Sequence, residues 1–131
     1  MGTNTGGKTM DKLGLGRKME ALCMKRWEWQ GFKTWQPPRA KYTSQDIFEL
    51  FDFVAIRGLC PLNLVQVKRH RRKEAETAMD AIKAFQDEYN APVSCFLVLW
   101  RKERRTARIV FEAWQYGLAG WFAAGEWTDG R

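Results

Sequence analysis

The feature that most limits how this chain can fold is the segment Val93–Trp100, which is apolar at nearly every position. Such a run is typical of a strand covered on both faces of a sheet, because a half-exposed strand alternates apolar and polar side chains. The run is too short to cross a bilayer, and we expect no membrane partner. At 131 residues the chain has room for one domain and hardly for two. The sequence therefore predicts a single domain built around a buried strand.

Hydrophobic periodicity predicts the other elements of this domain. Two helices are predicted, at Arg17–Gln30 and at Lys73–Tyr89. The remaining strands are predicted, in chain order, at Phe32–Gln36, Asp52–Arg57, Leu62–Arg69 and Arg105–Trp114. The second and third of these strands form a hairpin, and the last pairs with the apolar run. The predicted fold class is therefore α/β, a single domain with the order α-β-β-β-α-β-β and a mixed central sheet.

The two ends of the chain differ in composition from its middle. Residues 1–15 are rich in glycine and lack apolar periodicity, so we expect a flexible tail. This tail contains GTNTGGKT, which matches the phosphate-loop pattern, but no strand precedes it and we discard it as a nucleotide site. The domain itself is predicted at residues 16–114. Residues 115–131 form an aromatic C-terminal extension, whose apolar surface suits packing across a two-fold axis.

Cysteine and histidine usage excludes several kinds of site. The cysteines, Cys23, Cys60 and Cys95, are odd in number and widely spaced, and no C-x-x-C pair occurs. With a single histidine, His70, a zinc site is not expected. The N-terminus has no apolar signal core. We therefore expect a cytoplasmic protein with free buried thiols.

Positive charge is concentrated in two segments. The chain carries a formal net charge of +7, and residues 68–73 alone carry +5 while residues 101–108 carry +4. A basic excess of this kind favours a polyanionic partner. Two interpretations stay open from charge alone: the fold brings the segments together as a binding surface, or each is an ordinary solvated loop.

Polar residues of the kinds that carry out catalysis or bind ligands interrupt the apolar strands. Gln66 and Lys68 share one face of their predicted strand while Val67 points to the other. Hairpin pairing can place Asp52 beside them, and Glu20, at the margin of the first helix, can lean toward the same point. A lysine between apolar neighbours is costly unless it has partners. The alternative interpretation is a structural ion pair between Asp52 and Lys68.

With these residues in place, the chain resembles the PD-(D/E)XK nuclease superfamily and, within it, the archaeal-type Holliday junction resolvases, including phage-encoded relatives. The resemblance covers about residues 16–112. It rests on the order and spacing of four motifs, Gly16–Glu20, Gly31–Phe32, Phe51–Ile56 and Leu64–Lys68. It implies a restriction-endonuclease-like core.

The resemblance also implies a role for each polar residue. Asp52, Gln66, Glu20 and the backbone carbonyl of Val67 become ligands of Mg²⁺, for which Mn²⁺ can substitute, and Lys68 becomes the catalytic lysine. The departure from the family is Gln66, where many members carry an acid. An amide oxygen can ligate a hard cation but contributes no negative charge. Weakened metal binding is therefore expected unless Glu20, Asp46 or Glu49 compensates, and lost activity is the extreme outcome.

DNA contacts are expected from basic and hydroxyl residues around this site. Lysine and arginine supply affinity through phosphates without sequence information, which suits a protein that reads DNA shape. For the loop at residues 39–44, a DNA-contacting segment and an ordinary surface loop are both open. The predicted contacts are Arg17, Arg39, Lys41, Ser44, Arg69, Arg71, Arg72 and Lys73.

With these features, the resemblance implies a metal-dependent, structure-selective endonuclease that resolves four-way DNA junctions. A homodimer is expected, because two symmetric cuts need two sites related by a two-fold axis. Its expected partner is branched double-stranded DNA. Two alternatives stay open: a nucleic-acid-binding module of the same fold without catalysis, and a nuclease acting on other DNA structures.

Overall fold

The computed structural model describes the backbone of residues 2–38, 46–59, 61–89 and 93–129, with side chains from Gly14 onward. Within these ranges it contains two helices and six strands. They are α1 (Gly2–Trp29), β1 (Lys33–Trp35), β2 (Phe53–Ile56), β3 (Leu62–Arg69), α2 (Arg72–Tyr89), β4 (Val93–Lys102), β5 (Ile109–Gly117) and β6 (Gly120–Thr128).

The six strands form one mixed sheet in the order β1-β2-β3-β4-β5-β6. Only β3 and β4 pair in parallel, and α2 is the crossover between them. A parallel pair needs such a crossover, whereas antiparallel neighbours need only a turn. The prediction of a single α/β domain with a mixed sheet and two hairpins is confirmed at this level.

A helix covers each face of the sheet, and β3 shows how side chains divide between the two layers. Val65 and Val67 are buried in the cluster under α1, together with Cys23 and Trp27. Leu64, which alternates with them, lies in the cluster under α2. The strand β4 contributes to both clusters, since Val98 faces α1 while Leu97 and Leu99 face α2. The predicted burial of this strand on both faces is confirmed.

The first helix is longer than expected. It begins at Gly2 rather than at about Arg17, so the segment predicted as a flexible tail is helical from its second residue. The phosphate-loop pattern therefore lies inside a helix, as does Gly14. Glycine disfavours a helix by about 1 kcal/mol relative to alanine but does not forbid it.

The C-terminal aromatic segment is part of the sheet. The boundary expected between residues 114 and 115 lies inside β5, and residues 120–128 form the edge strand β6, which periodicity did not predict. Alanine and glycine at residues 123–125 have low strand propensity, which explains why the pattern was not recognised. The start of β5 also differs, at Ile109 instead of Arg105, because Ala107 N donates to Glu103 O (3.0 Å) in a turn that ends β4.

Two buried thiols affect the pH dependence of folding. Cys23 and Cys95 are free and buried, as predicted, whereas Cys60 lies outside the described residues. Burial raises the pKa of the Cys95 thiol to about 12. The Cys95 Sγ–H also donates to Gln86 Oε1 at 2.8 Å.

We expect the free energy of unfolding to fall as pH rises from about 9 toward 12. In the unfolded chain a thiol loses its proton near pH 8.5, whereas folded Cys95 holds its proton, so the folded state binds more protons in this window. Urea denaturation of the wild type and of Cys95→Ala at several pH values measures the effect. The variant should show a smaller fall, and equal pH dependence in both proteins would contradict the expectation.

Candidate active site

Asp52 lies at the point where β2 begins beside β3. Its backbone N–H donates to Val65 O at 2.8 Å, which extends the pairing of the two strands by one residue. Its carboxylate oxygen Oδ2 accepts a hydrogen bond from the backbone N–H of Val67 at 2.6 Å. The side chain is buried, with 9% of the residue exposed. The carboxylate therefore contacts the central residue of the Gln66-Val67-Lys68 triplet.

Gln66 and Lys68 open toward α2, because they alternate with the valines that face α1. Both line a pocket of about 320 Å³ between β3 and the first turns of α2. Only 7% of Gln66 is exposed, and its Oε1 has no hydrogen-bond partner among the described residues. A buried acceptor without a partner is uncommon and costly. The other pocket residues are Leu50, Lys73, Glu74, Thr77, Ala78 and Ala81.

Glu20 lies on the α1 side of the sheet. Its Oε1 accepts a hydrogen bond from Gln36 Nε2 at 2.6 Å, at the end of β1. Burial, and then the negative charges of Asp52 and Glu20, raise the pKa of the Cys23 thiol far above its ordinary value. Gln36 was not identified from the sequence, where only its position before two prolines marks it.

The four predicted catalytic residues therefore approach the β2–β3 junction from both sides of the sheet. Glu20 approaches from α1, and Asp52 lies at the β2–β3 junction, whereas Gln66 and Lys68 line the pocket under α2. The hydrogen bond from Val67 to Asp52 joins the two sets through the backbone of β3. The sequence predicted convergence on one point. The structure gives an arrangement around one strand junction, in which Asp52 touches the triplet through its backbone.

The ligand atoms around this junction can be compared with those that a metal ion requires. In the part of the chain that the structure describes, no group of three or more His, Cys, Asp or Glu could hold one. The expected ligand set contains only two such residues, Asp52 and Glu20, beside the Gln66 amide and the Val67 carbonyl. All four groups offer oxygen, the donor that Mg²⁺ prefers, and Gln66 Oε1 is unpaired. The donor chemistry fits a hard cation held with low ligand charge.

The two basic segments are brought together by the parallel pairing of β3 and β4. Arg69 lies opposite Trp100 in the register, and its guanidinium lies 5.3 Å from the indole centroid. His70, directly after β3, donates its backbone N–H to Trp100 O of β4 at 2.7 Å. Residues 68–73 and 102–108 are exposed. Arg101 is the exception, since its Nη1 pairs with Glu112 Oε2 at 2.8 Å.

The predicted DNA contacts can now be located. Arg69, Arg71, Arg72 and Lys73 are exposed beside the pocket, and Arg17 is exposed on α1. Arg71 and Arg72 form exposed ion pairs with Glu74 and Glu76, at 3.9 and 3.5 Å. Exposed pairs of this kind are weak and leave the arginines available to a stronger anion. Arg39, Lys41 and Ser44 lie outside the described residues.

Sequence reasoning missed several residues of the pocket wall. Glu74, Thr77, Ala78 and Ala81 all lie on one side of α2. Their spacing of i, i+3, i+4 and i+7 was visible in the sequence, and it identifies one helix face without saying which part of the sheet that face meets.

Comparisons of the chain with protein-family models, with curated proteins and with solved structures find no match. Among the described residues, no helix is long and apolar enough to cross a membrane. The residues of the β2–β3 junction and the charge around it are therefore the features that indicate function.

Proposed function

We propose that this protein is a metal-dependent DNA endonuclease with a PD-(D/E)XK-type core, and that it resolves four-way junctions. The observation that carries the proposal is the unpaired, buried Oε1 of Gln66 on the strand that bears Lys68. Asp52 contacts the residue between them. An acid, an amide oxygen and a lysine around one strand junction suit phosphodiester hydrolysis better than they suit a structural core.

Each residue has a definite task in this proposal. Asp52 and Gln66, with the Val67 carbonyl, would hold Mg²⁺, and Glu20 would complete the set from the α1 side. The bound ion would lower the pKa of its water and offset charge on the phosphate. The Val67 N–H fixes one Asp52 oxygen at 2.6 Å, so the carboxylate is oriented before any ligand arrives. Lys68 orients the attacking water and stabilises the negative charge that develops on the phosphate oxygens.

The basic surface supports DNA as the substrate. The exposed cations of residues 68–73 begin at Lys68 itself, so a phosphate chain bound there passes the candidate site. The adjacent turn at residues 102–108 extends this surface along the same end of the sheet. Contacts of this kind recognise the backbone rather than the bases, as a junction-selective enzyme requires. We propose a homodimer, because paired cuts across a four-way junction need two sites.

A non-catalytic DNA-binding module is the second candidate. The observation that favours it is the low acidic content of the site, since no group of three or more His, Cys, Asp or Glu among the described residues could hold a metal ion. Such a module would bind DNA in EDTA with a steep salt dependence and would cut with no divalent ion. It would use the same basic surface, so binding alone does not separate the two candidates.

Cleavage of a labelled four-way junction, beside a linear duplex of equal length and with or without Mg²⁺, tests the proposal. The Gln66→Glu variant sharpens the test. Because glutamate restores a negative ligand charge, we expect it to cut at a lower Mg²⁺ concentration than the wild type.

Three outcomes are distinguishable in this experiment. Mg²⁺-dependent cuts in the junction alone support the resolvase, and equal cutting of the duplex assigns a nuclease with another substrate. If neither the wild type nor Gln66→Glu cuts any DNA with Mg²⁺ or Mn²⁺, the catalytic proposal is wrong and the binding module stands.

A further inference from the structure

A groove runs between α1 and β6. It consists of two adjoining pockets of about 560 and 720 Å³, which share Arg26 and Trp127. We name it the α1–β6 groove. It exists because α1 covers the first strands of the sheet and leaves the α1-facing side of β5 and β6 partly open. Neither pocket contains a residue of the candidate active site.

Aromatic rings line this groove in an unusual arrangement. The Arg26 guanidinium carbon lies 5.1 Å from the centroid of Trp29 and 5.3 Å from that of Trp127. Trp127 in turn stacks on Phe111, with centroids 5.4 Å apart and planes 15° apart. Trp29 is 77% exposed. A large indole exposed at the surface beside a cation offers a flat platform on which another ring can stack.

The polar groups of the groove favour an anion that also offers hydrogen-bond acceptors. Lys25, Arg26 and Arg57 face two acids, Glu126 and Asp129, so cations are in excess. Part of the Glu126 charge is offset by a cation outside the groove, since its Oε2 lies 4.0 Å from Arg101 Nη1.

Arg26 provides a second, independent sign of a ligand. Its Nε is shielded from solvent and has no hydrogen-bond partner among the described residues. A buried donor without an acceptor is destabilising, and an incoming phosphate or base oxygen would satisfy it. Among the described residues, the only other buried polar side-chain atom without a hydrogen-bond partner is the acceptor Gln66 Oε1.

We infer that the α1–β6 groove binds a single-stranded segment of DNA, with bases stacking on the exposed indole and phosphates meeting the cations. Single-strand sites combine aromatic platforms with a positively charged groove. The inference takes its substrate class from the proposed function. The groove also reaches the basic end of the sheet, because Asp129 N donates to Ile109 O at 2.8 Å beside the basic turn at residues 102–108. A strand leaving the basic surface can therefore continue into it.

Binding of a fluorescein-labelled oligothymidylate of about 16 nucleotides, measured by anisotropy in EDTA, tests the inference. Replacing Trp29 by alanine should weaken binding about tenfold, because one base loses its stacking platform. Trp29 is mostly exposed, so the variant should fold normally. The matched control is Trp35→Ala on β1, an indole that is 55% exposed and lies outside the groove, and it should bind like the wild type. Lys25→Ala should lower the slope of log affinity against log salt by about 0.7.

The inference is overturned if Trp29→Ala and Trp35→Ala bind the oligonucleotide equally. It is also overturned if Trp29→Ala leaves that binding intact but dissociates a dimer in sedimentation, which would assign the groove to a second copy of the chain. Since EDTA removes any metal, single-strand binding is observable even if the junction remains uncut. Conversely, if the wild type cleaves the junction and Trp29→Ala has no effect on single-strand binding, the inference about the groove is wrong while the proposed nuclease function is retained.

Discussion

Replacing Lys68 by alanine is expected to slow Mg²⁺-dependent junction cleavage by at least about 10²- to 10³-fold, the effect of removing one donor that stabilises transition-state charge. Lys68 lines the pocket together with Gln66. It directly follows Val67, whose backbone N–H donates to the Asp52 carboxylate. Its side chain is exposed enough that alanine creates no buried cavity. The variant should therefore keep its fold and most of its affinity for DNA.

Single-turnover cleavage, paired with junction binding in EDTA, measures this effect. The control is Lys33→Ala, an exposed lysine on β1 that removes the same charge far from the pocket. A loss of binding as large as the loss of cleavage would reduce Lys68 to a phosphate contact. Cutting at the wild-type rate by Lys68→Ala would exclude it from the chemistry.

Replacing Asp52 by asparagine or by alanine should abolish cleavage in both cases, but the two variants should differ in their free energy of unfolding. In Asp52→Asn the side-chain oxygen can still accept from Val67 N, so the fold should persist while the charge that holds a cation is lost. In Asp52→Ala that buried N–H loses its acceptor, which should lower the free energy of unfolding by about 1–3 kcal/mol. Cleavage should fall below detection in both variants.

Urea denaturation and junction cleavage, run on the same preparations, separate the two effects. Asp52→Asn should unfold near the wild-type urea concentration, and Asp52→Ala clearly below it. If Asp52→Asn cuts the junction with Mg²⁺, Asp52 is a structural acceptor for β3 and nothing more. If both variants match the wild type in stability, the hydrogen bond to Val67 contributes nothing to the fold.

Local patterns predicted most of the elements well. The bounds of β3 agree with the sequence prediction, and α2 begins one residue before its predicted start. Both segments have strong periodicity and clear ends, which are local properties. The strand β6 was missed because its two alanines and two glycines carry almost no strand preference, and it is held by pairing with β5. Its assignment therefore required the neighbour.

By itself the sequence determined that Gln66 and Lys68 share a face, since side chains alternate along any strand. It also determined that positive charge is concentrated in two segments. Only the tertiary structure decided that α2 covers that face, that Asp52 reaches the triplet through Val67 N, and that parallel pairing joins the basic segments. The physical reason is that alternation and charge belong to neighbouring residues. Which layer covers a face, and which strand ends lie together, depends on contacts between residues far apart in the chain.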